Sequence, residues 1–363
     1  MTYFSSFNGK TIIVTGHTGF KGSWLALWLK TLGAKVVGLG LEPHTNPSHF
    51  DSARLKEIVE DHRFDITNTE LVNEFVLKTQ PDYVFHLAAQ SLVRKSYEDP
   101  KSTYSTNAIG TLNLLEALRN LKKKCSAVLI TSDKCYQNVE WIWGYRETDS
   151  LGGSDPYSAS KGAAEMIIHS YVKSFFPVDG LVKIGIARAG NVIGGGDWSQ
   201  DRIVPDCVRS WAKNESVKLR KAEATRPWQH VLEPLSGYLI LATELNNKET
   251  LHGEPFNFGP DPYDNYTVLN LVELMSRYWE KVNWENSTIQ EKVFESGLLK
   301  LNCDKAFHQL KWRAVLPFQE TIRMTVEWYK SYYNNPSKIR DISLSQIREY
   351  EFFAKEKNMP WMN

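Results

Sequence analysis

Cysteine, long apolar runs and net charge are all scarce in this sequence, and each absence excludes a class of protein. The 363 residues include four cysteines, far apart and in no C-x-x-C or metal-ligand spacing, so we expect neither a disulfide framework nor a structural metal. No stretch approaches the roughly 18 consecutive apolar residues of a membrane-spanning helix, and the first residues show no signal-peptide pattern. We therefore predict a reduced, cytoplasmic protein.

Charge is balanced along the chain as well as in total. Lysine and arginine together number 43 and aspartate and glutamate 42, which leaves a formal net charge of +1 at pH 7. The one basic run, Lys122-Lys123-Lys124, is typical of the solvated end of a helix. Because nucleic acid is bound by a concentrated basic surface, we expect no nucleic-acid partner, and we expect no membrane partner either.

Strand and helix patterns alternate over the first half of the chain. Predicted strands at 11–15 and 35–41 flank a predicted helix at 24–32, a βαβ unit that requires a right-handed crossover and parallel strands. The alternation continues with strands predicted at 83–87, 127–131 and 182–188 and helices predicted at 70–79, 107–121 and 156–175. We predict an α/β fold with a doubly wound, Rossmann-like parallel sheet.

After Arg188 the alternation is interrupted by Gly194-Gly195-Gly196, by prolines and by many aromatic residues. We predict a smaller, interleaved C-terminal α/β domain for the substrate, over residues 191–227 and 251–363. The amphipathic segment 234–245 is expected to return to the first sheet, so the first domain would comprise residues 1–190 and 228–250. The tail, 338–363, could be a docked helix or a partly mobile end.

A glycine-rich loop lies between the first strand and the first helix. In such a loop the glycines let a pyrophosphate approach the backbone, and the helix N-terminus supplies partial positive charge. The G-x-x-G-x-x-G spacing also fits a tight turn without a ligand. We predict a dinucleotide site that includes Gly16, His17, Thr18, Gly19, Phe20 and Gly22.

The residue that follows the second strand decides between NAD and NADP. An acidic side chain about 20 positions after the loop would bind the ribose hydroxyls of NAD, and Glu42 is the candidate. Glu42 could also be an ordinary surface charge, and His17 and Lys21 could be argued toward a 2′-phosphate. We predict NAD.

Two further stretches are predicted to contact the cofactor. Leu87-Ala88-Ala89 comes at the end of the strand predicted at 83–87, where small side chains leave room for a dinucleotide, although alanines also begin helices. Asp65, followed by Ile66, comes after the presumed third strand and could accept a hydrogen bond from an adenine amino group or cap a helix.

Tyr157 and Lys161 are one turn apart on a predicted helix, with Asp155 suited to the N-cap and Pro156 to the first helical position. A nearby ammonium favours the phenolate, so we predict that Tyr157 acts as a base with a pKa below the usual value of about 10. The alternative is an ordinary helix with a chance Tyr and Lys at this spacing.

Ser132-Asp133-Lys134 ends the fifth strand on the same rim of the sheet as the glycine loop. Ser132 could bind a reacting hydroxyl, Asp133 could be a general acid, and Lys134 could be a base or an electrostatic clamp. Such a triplet is usually a solvated turn. Its place about 25 residues before the Tyr157 helix favours a catalytic cluster.

These motifs, in this order, resemble the extended short-chain dehydrogenase/reductase superfamily over almost the whole chain. Within it, the stretches 131–136, 140–147 and 188–198 resemble the branch of nucleotide-sugar 4,6-dehydratases that acts on CDP-D-glucose. The resemblance implies bound NAD and a nucleotide sugar, CDP-glucose, in the second domain. It also implies a homodimer or higher homo-oligomer formed through the helices that follow Gln90 and contain Tyr157, and a place in deoxysugar and O-antigen biosynthesis.

The resemblance also implies roles for the catalytic residues. Tyr157 would take the C4 hydroxyl proton as hydride leaves C4, with Lys161 lowering its pKa and holding the nicotinamide ribose, and Ser132 would bind the C4 oxygen. Asp133 would protonate the departing C6 oxygen before hydride returns to C6. Lys134 stands where dehydratases of other nucleotide sugars have the glutamate that takes the C5 proton, and a lysine can do so only when it is neutral.

Substrate contacts are implied for Gln90, Asn191, Arg202 and Arg226, the last three at positions that contact the nucleotide diphosphate or its ribose. Arginine suits phosphate, although Arg202 could equally form a salt bridge. A tryptophan near position 198 or 228 could stack on the base.

Two rival functions share most of these motifs. A nucleotide-sugar 4-epimerase needs no acid and base beside Ser132, and a non-catalytic NAD-sensing regulator would typically lack Tyr157 or Lys161.

Overall fold

Seven parallel strands form one sheet. The computed structural model describes residues 3–261, 264–286 and 298–362. The strands of this sheet are β1 (Thr11–Thr15), β2 (Lys35–Gly40), β3 (Glu60–Arg63), β4 (Tyr83–His86), β5 (Cys125–Ile130), β6 (Val182–Ala189) and β11 (Pro255–Phe258). In space the strands lie in the order β11-β6-β5-β4-β1-β2-β3. The order reverses between β1 and β4, so the predicted Rossmann-like, doubly wound sheet is confirmed.

Helices cover both faces of the sheet. The α-helices of the described residues are α1 (Phe20–Thr31), α2 (His49–Ser52), α3 (Thr69–Thr79), α4 (Val93–Glu98), α5 (Pro100–Tyr104), α6 (Gly110–Arg119), α7 (Pro156–Phe175), α8 (Ile203–Ala212), α9 (Leu232–Glu244), α10 (Val268–Ser276), α11 (Phe318–Asn334) and α12 (Ile339–Glu356). The helix predicted at 107–121 begins instead as a π-helical turn, Ser105–Ile109, before α6.

Side chains that alternate along each strand build two separate cores. Ile12 and Val14 of β1 point to the core that contains α1, α9, α11 and α12. Ile13, between them, points to the core that contains α3, α6 and α7. A strand that is apolar on both faces can lie only inside such a three-layer arrangement, which is why these strands are continuous apolar runs.

Three short strand pairs lie outside the main sheet: β7 (Val192–Ile193) with β10 (Gln229–His230), β9 (Thr225–Arg226) with β12 (Tyr266–Thr267), and β8 (Val217–Leu219) with β13 (Trp284–Asn286). Helix α9 returns to the sheet as expected and is buried along its whole length. Strand β11 comes from the segment assigned to the second domain yet forms the edge of the main sheet. The bounds of the two domains stay a prediction.

The C-terminal tail is a docked helix, which decides between the two alternatives. Trp28 Nε1 of α1 donates to Glu351 Oε1 of α12 at 2.9 Å. The hydroxyl of Tyr350 donates to Glu233 Oε2 of α9 at 2.8 Å.

Among the helices of the described ranges, none is both long and apolar enough to cross a membrane.

Candidate active site

A cavity of about 850 Å³ runs along the carboxyl ends of β1, β2, β4 and β5 toward α8. This is the edge of the sheet where ligands bind in open α/β folds. Every candidate site residue except His17 lies on its wall: Gly16, Thr18, Gly19, Phe20, Gly22, Glu42, Asp65, Ile66, Leu87, Ala88, Ala89, Gln90, Ser132, Asp133, Lys134, Tyr157, Lys161, Asn191, Arg202 and Arg226. Separate sequence motifs therefore meet at one site.

The glycine loop is shaped for close approach of a ligand. Gly16 has φ +72°, and a Cβ there would lie 2.7 Å from the backbone nitrogen of Ala88. A Cβ on Gly22 would lie 2.1 Å from the carbonyl oxygen of Gly16, so the absent side chain lets α1 pack against the loop. Gly19, the N-cap of α1, provides no side-chain cap, so the N-terminal N–H groups of this helix suit an anion.

His17 is the one candidate that the structure places away from the cavity. Its ring is fully buried, because Gly38 of β2 has no side chain and leaves room for it. Its Nε2 lies 2.8 Å from Asp61 Oδ1, and burial lowers its pKa. The side chain is therefore not placed to contact a cofactor or a 2′-phosphate, and the prediction that it does is not supported by its position.

Glu42, Asp65 and Ile66 lie at the end of the cavity formed by β2 and β3. The side chain of Glu42 is 82% exposed, and its Oε2 lies 3.6 Å from Arg63 Nη1. Asp65 Oδ1 accepts a hydrogen bond from the backbone of Thr67 at 2.8 Å. The N-cap of α3 is Asn68, so Asp65 does not have the alternative role of capping that helix.

Tyr157 and Lys161 are held on the first turns of α7. Asp155 caps this helix, with its Oδ1 accepting from the backbone of Ser158 at 2.9 Å. Burial lowers the pKa of Lys161 to about 8, and its Nζ donates to the carbonyl oxygen of Ile130 at 3.4 Å. The predicted helix and its cap are confirmed.

The expected low pKa of Tyr157 is wrong for the protein alone. Burial raises the pKa of Tyr157 to about 12, and the opposing effect of the Ser132 hydroxyl is smaller. Desolvation disfavours the phenolate more than its polar neighbours favour it. A positive charge bound beside the phenol would favour the phenolate and so oppose this rise in the pKa of Tyr157.

Ser132, Asp133 and Lys134 form a tight turn at the end of β5. Ser132 Oγ donates to Asp133 Oδ1 at 2.9 Å and accepts from the backbone N–H of Lys134 at 3.2 Å. Burial raises the pKa of Asp133, although Lys134, Ser132 and Lys21 oppose the rise. A raised pKa brings a carboxyl group closer to the range in which it can carry and donate a proton, which suits a general acid.

A buried ion pair, which no sequence motif indicates, supports this turn. Arg188 donates to Glu165 twice, from Nε at 2.8 Å and from Nη2 at 2.9 Å. Glu165 also accepts from the hydroxyl of Thr131 at 2.6 Å, and Arg188 donates to the hydroxyl of Tyr136 at 2.7 Å. Both ends of the Ser132–Cys135 turn are thereby tied to α7. The signal in the sequence was the spacing of Glu165, four residues after Lys161.

The far end of the cavity is rich in arginine. Arg202 Nη1 donates to Asp197 Oδ2 at 2.7 Å, so Arg202 does form the salt bridge considered as an alternative to phosphate binding. Its side chain also lines the cavity. Arg226 Nη1 donates to the carbonyl oxygen of Thr225 at 2.8 Å, and Asn191 also lines the cavity. Further basic residues on this wall, not singled out from the sequence, are Arg94, Lys95, Lys218, Arg220 and Lys221.

Gln90 and the two tryptophans differ in what they offer a ligand. The side-chain amide of Gln90 is bonded within its own loop, donating to Leu92 O at 3.1 Å and to Thr103 Oγ1 at 3.0 Å. Trp228 lines the cavity, and its buried Nε1 has no hydrogen-bond partner among the described residues. Trp198 instead packs edge-on against Tyr329 in the core. Trp228 is thus the tryptophan that could stack on a base.

This sheet order, the glycine loop and a Tyr-x-x-x-Lys pair on one cavity define an extended short-chain dehydrogenase/reductase. The chain belongs to the GDP-mannose 4,6 dehydratase family, whose model matches residues 13–325. It is 46% identical over 329 residues to CDP-glucose 4,6-dehydratase of Salmonella typhimurium, covering 89% of this chain and 91% of that relative.

Solved structures share the fold at low identity. An epimerase from Methanothermobacter thermautotrophicus has a TM-score of 0.79 at 22% identity, covering 93% of this chain and 96% of that one. A dTDP-glucose 4,6-dehydratase from Bacillus anthracis, in complex with NAD, has a TM-score of 0.73 at 20% identity, covering 92% and 100%. At these identities the likeness establishes the fold.

Proposed function

We propose that this chain is an NAD-dependent CDP-D-glucose 4,6-dehydratase, a hydro-lyase. It would convert CDP-D-glucose to CDP-4-dehydro-6-deoxy-D-glucose by oxidation at C4, loss of water across C5 and C6, and return of hydride to C6. The 46% identity to the Salmonella enzyme supports this substrate. The observation that carries the proposal is Asp133, a buried carboxyl with a raised pKa on the same cavity wall as Tyr157 and Lys161.

The shape of the glycine loop supports NAD as the cofactor. The helix N-terminus and the bare backbone at Gly16 and Gly19 fit a pyrophosphate, and Glu42 suits ribose hydroxyls. Asp65 and Ile66 would contact the adenine, and Leu87, Ala88 and Ala89 would line the path of the dinucleotide. When bound, NAD accepts hydride from C4, returns it to C6, and favours the phenolate through the positive charge of its nicotinamide ring.

Tyr157 and Ser132 would carry out the first half of the reaction. Tyr157 takes the proton of the C4 hydroxyl, and Ser132, whose hydroxyl already acts on the pKa of Tyr157, binds the C4 oxygen. Lys161 holds the nicotinamide ribose and favours the phenolate by its charge. The resulting C4 ketone makes the C5 proton acidic.

Asp133 and Lys134 would carry out the elimination. Asp133 donates a proton to the C6 hydroxyl as it leaves, which its raised pKa allows. Lys134, half-buried on the cavity wall, is the proposed base for the C5 proton, which it can accept only as the neutral amine. An epimerase would need neither step, so the acid beside Ser132 favours a dehydratase.

Arg202, Arg226 and Asn191 would hold the nucleotide diphosphate at the arginine-rich end of the cavity, with Gln90 shaping the loop near the substrate. The planar guanidinium fork suits phosphate oxygens, and Arg202 can keep its bond to Asp197 while doing so.

We also propose that the chain is a cytoplasmic homodimer or higher homo-oligomer that supplies deoxysugar biosynthesis. The helices implicated by the resemblance expose large apolar side chains. Met166 of α7 is 67% exposed and Ile109, just before α6, is 46% exposed. A second copy would remove this apolar surface from water.

Turnover with CDP-, UDP- and dTDP-glucose, with products analysed by mass spectrometry, tests the proposal. We expect CDP-glucose to be the preferred substrate and its product to be lighter by one water. A product of unchanged mass would contradict the dehydratase reaction, and preference for UDP- or dTDP-glucose would contradict the substrate. Asp206→Asn, which alters another aspartate of the cavity wall, serves as a control that retains the reaction.

A further inference from the structure

Strand β3 carries two opposite charges on one face. Side chains alternate along a strand, so Asp61 and Arg63 point to the same side of the sheet. The residues of β2 that pair with them are Gly38 and Gly40, which have no side chains. The two charged groups therefore lie close to the backbone where β2 ends and the cavity begins.

Asp61 holds Arg63 in a two-point ion pair. Arg63 Nη2 donates to Asp61 Oδ2 at 2.9 Å, and Arg63 Nε lies 2.6 Å from Asp61 Oδ1. The guanidinium also stacks on Phe50, with its carbon 5.0 Å from the ring centroid. Asp61 Oδ1 also lies 2.8 Å from His17 Nε2, which helps to fix the carboxylate.

This ion pair borders the part of the cavity where we place the adenosine ribose. Arg63 Nη1 donates to the carbonyl oxygen of Leu41 at 2.6 Å and lies 3.6 Å from Glu42 Oε2. Leu41 and Glu42 both line the cavity. A phosphate on the ribose 2′ oxygen would thus come close to a guanidinium, the group best suited to bind it.

Resting on the proposed function, we propose that Asp61 is a specificity-determining residue that makes the site select NAD over NADP. Its carboxylate neutralises Arg63 and occupies the guanidinium, so the charge that faces the ribose is the negative one of Glu42. A 2′-phosphate is then repelled, although a cation lies beside it.

The ionisation of the cluster agrees with this assignment. Burial of Asp61 raises its pKa, but the hydrogen bonds of Arg63 and His17 outweigh burial and leave the pKa below its usual value. Burial lowers the pKa of His17. At neutral pH the cluster therefore contains one cation, Arg63, between two carboxylates.

Asp61→Asn tests the inference, because asparagine keeps the shape and removes the charge. The measurement is the dissociation constant of NAD and of NADP by isothermal titration calorimetry. Without the carboxylate, the guanidinium of Arg63 is free to pair with a 2′-phosphate, so the preference for NAD over NADP should fall about tenfold or more in this variant. The additional change Arg63→Met should abolish that gain for NADP.

Two controls separate a local effect from a structural one. Asp82→Asn also removes a partly buried carboxylate that pairs with a cation, Lys123 at 2.8 Å, but lies outside the cavity wall, so it should leave the preference unchanged. Arg63→Met alone should raise the preference for NAD several-fold, because two carboxylates then remain near the ribose. This variant decides the matter if Asp61→Asn does not fold.

An unchanged NAD-to-NADP ratio in a folded Asp61→Asn or Arg63→Met variant would overturn the inference. A gain for NADP that persists in the double variant would overturn it as well. If the wild-type protein binds NAD and only these ratios fail, the proposed function stands. If the wild-type protein binds no NAD, the proposed cofactor itself is wrong.

Discussion

Replacing Asp133 by asparagine separates the oxidation half of the proposed reaction from its elimination half. Asparagine matches aspartate in size, and its oxygen can still accept from Ser132 Oγ, which donates to Asp133 at 2.9 Å. The fold and the C4 oxidation should therefore survive. The amide has no acidic proton to give, so the C6 hydroxyl must leave without the proton that Asp133, with its raised pKa, would supply.

The expected loss follows from the usual contribution of general acid catalysis, which is about 10²–10⁴-fold, or roughly 3–5 kcal/mol of barrier. Single-turnover absorbance would show reduced nicotinamide forming at a normal rate and then persisting on the enzyme. Asp206→Asn is the matched control, since burial also raises the pKa of Asp206 on the same cavity wall. Elimination at the wild-type rate in Asp133→Asn, or an equal loss of C4 oxidation, would refute the assignment.

Three further changes test the site and the fold. Tyr157→Phe should lower turnover about 10²–10⁴-fold while NAD binding, measured by calorimetry, is retained; undiminished turnover would contradict its role as base. Glu165→Gln leaves Arg188 buried without its charge partner, so the free energy of unfolding, measured in denaturant, should fall by about 3–5 kcal/mol. Glu116→Gln is the control, because Glu116 pairs with Arg119 at the surface and its loss should have a much smaller effect. Burial raises the pKa of Glu233 to about 7 from 4.5. The contribution of this group to the free energy of unfolding is therefore complete below pH 4.5 and is lost as the pH rises toward 7. Glu233→Gln should flatten that dependence in unfolding measurements between these pH values, and an unchanged slope would contradict it.

Local features of the chain were predictable because neighbouring residues determine them. The run Thr11–Thr15 is apolar on both faces and is a buried central strand. Asp155 and Pro156 begin α7 because one caps the helix and the other fits its first turn, so its start and end agree with the prediction. Gly16 has a positive φ and no room for a Cβ. A tight loop between a strand and a helix requires such a residue, so the glycine was predictable from the strand–loop–helix pattern.

Properties that depend on distant segments could not be read from the sequence. The pKa of Tyr157 is set by burial, so spacing to Lys161 alone predicted the wrong direction. The position of His17 depends on Gly38 in the next strand, and the Glu165–Arg188 pair joins residues from a helix and a later strand. Each of these contacts exists only after the sheet has assembled.

Transfer of deuterium within one turnover tests the central claim most directly. The protein would be given CDP-glucose deuterated at C4, and product positions would be read by nuclear magnetic resonance and mass spectrometry. The proposed mechanism predicts that the label reappears at C6, and that in heavy water C5 gains solvent deuterium, because the C5 proton leaves to a side chain that exchanges with solvent. The proposed mechanism would be contradicted if the label returned to C4 with the C6 hydroxyl intact. It would also be contradicted if the label left with free NADH.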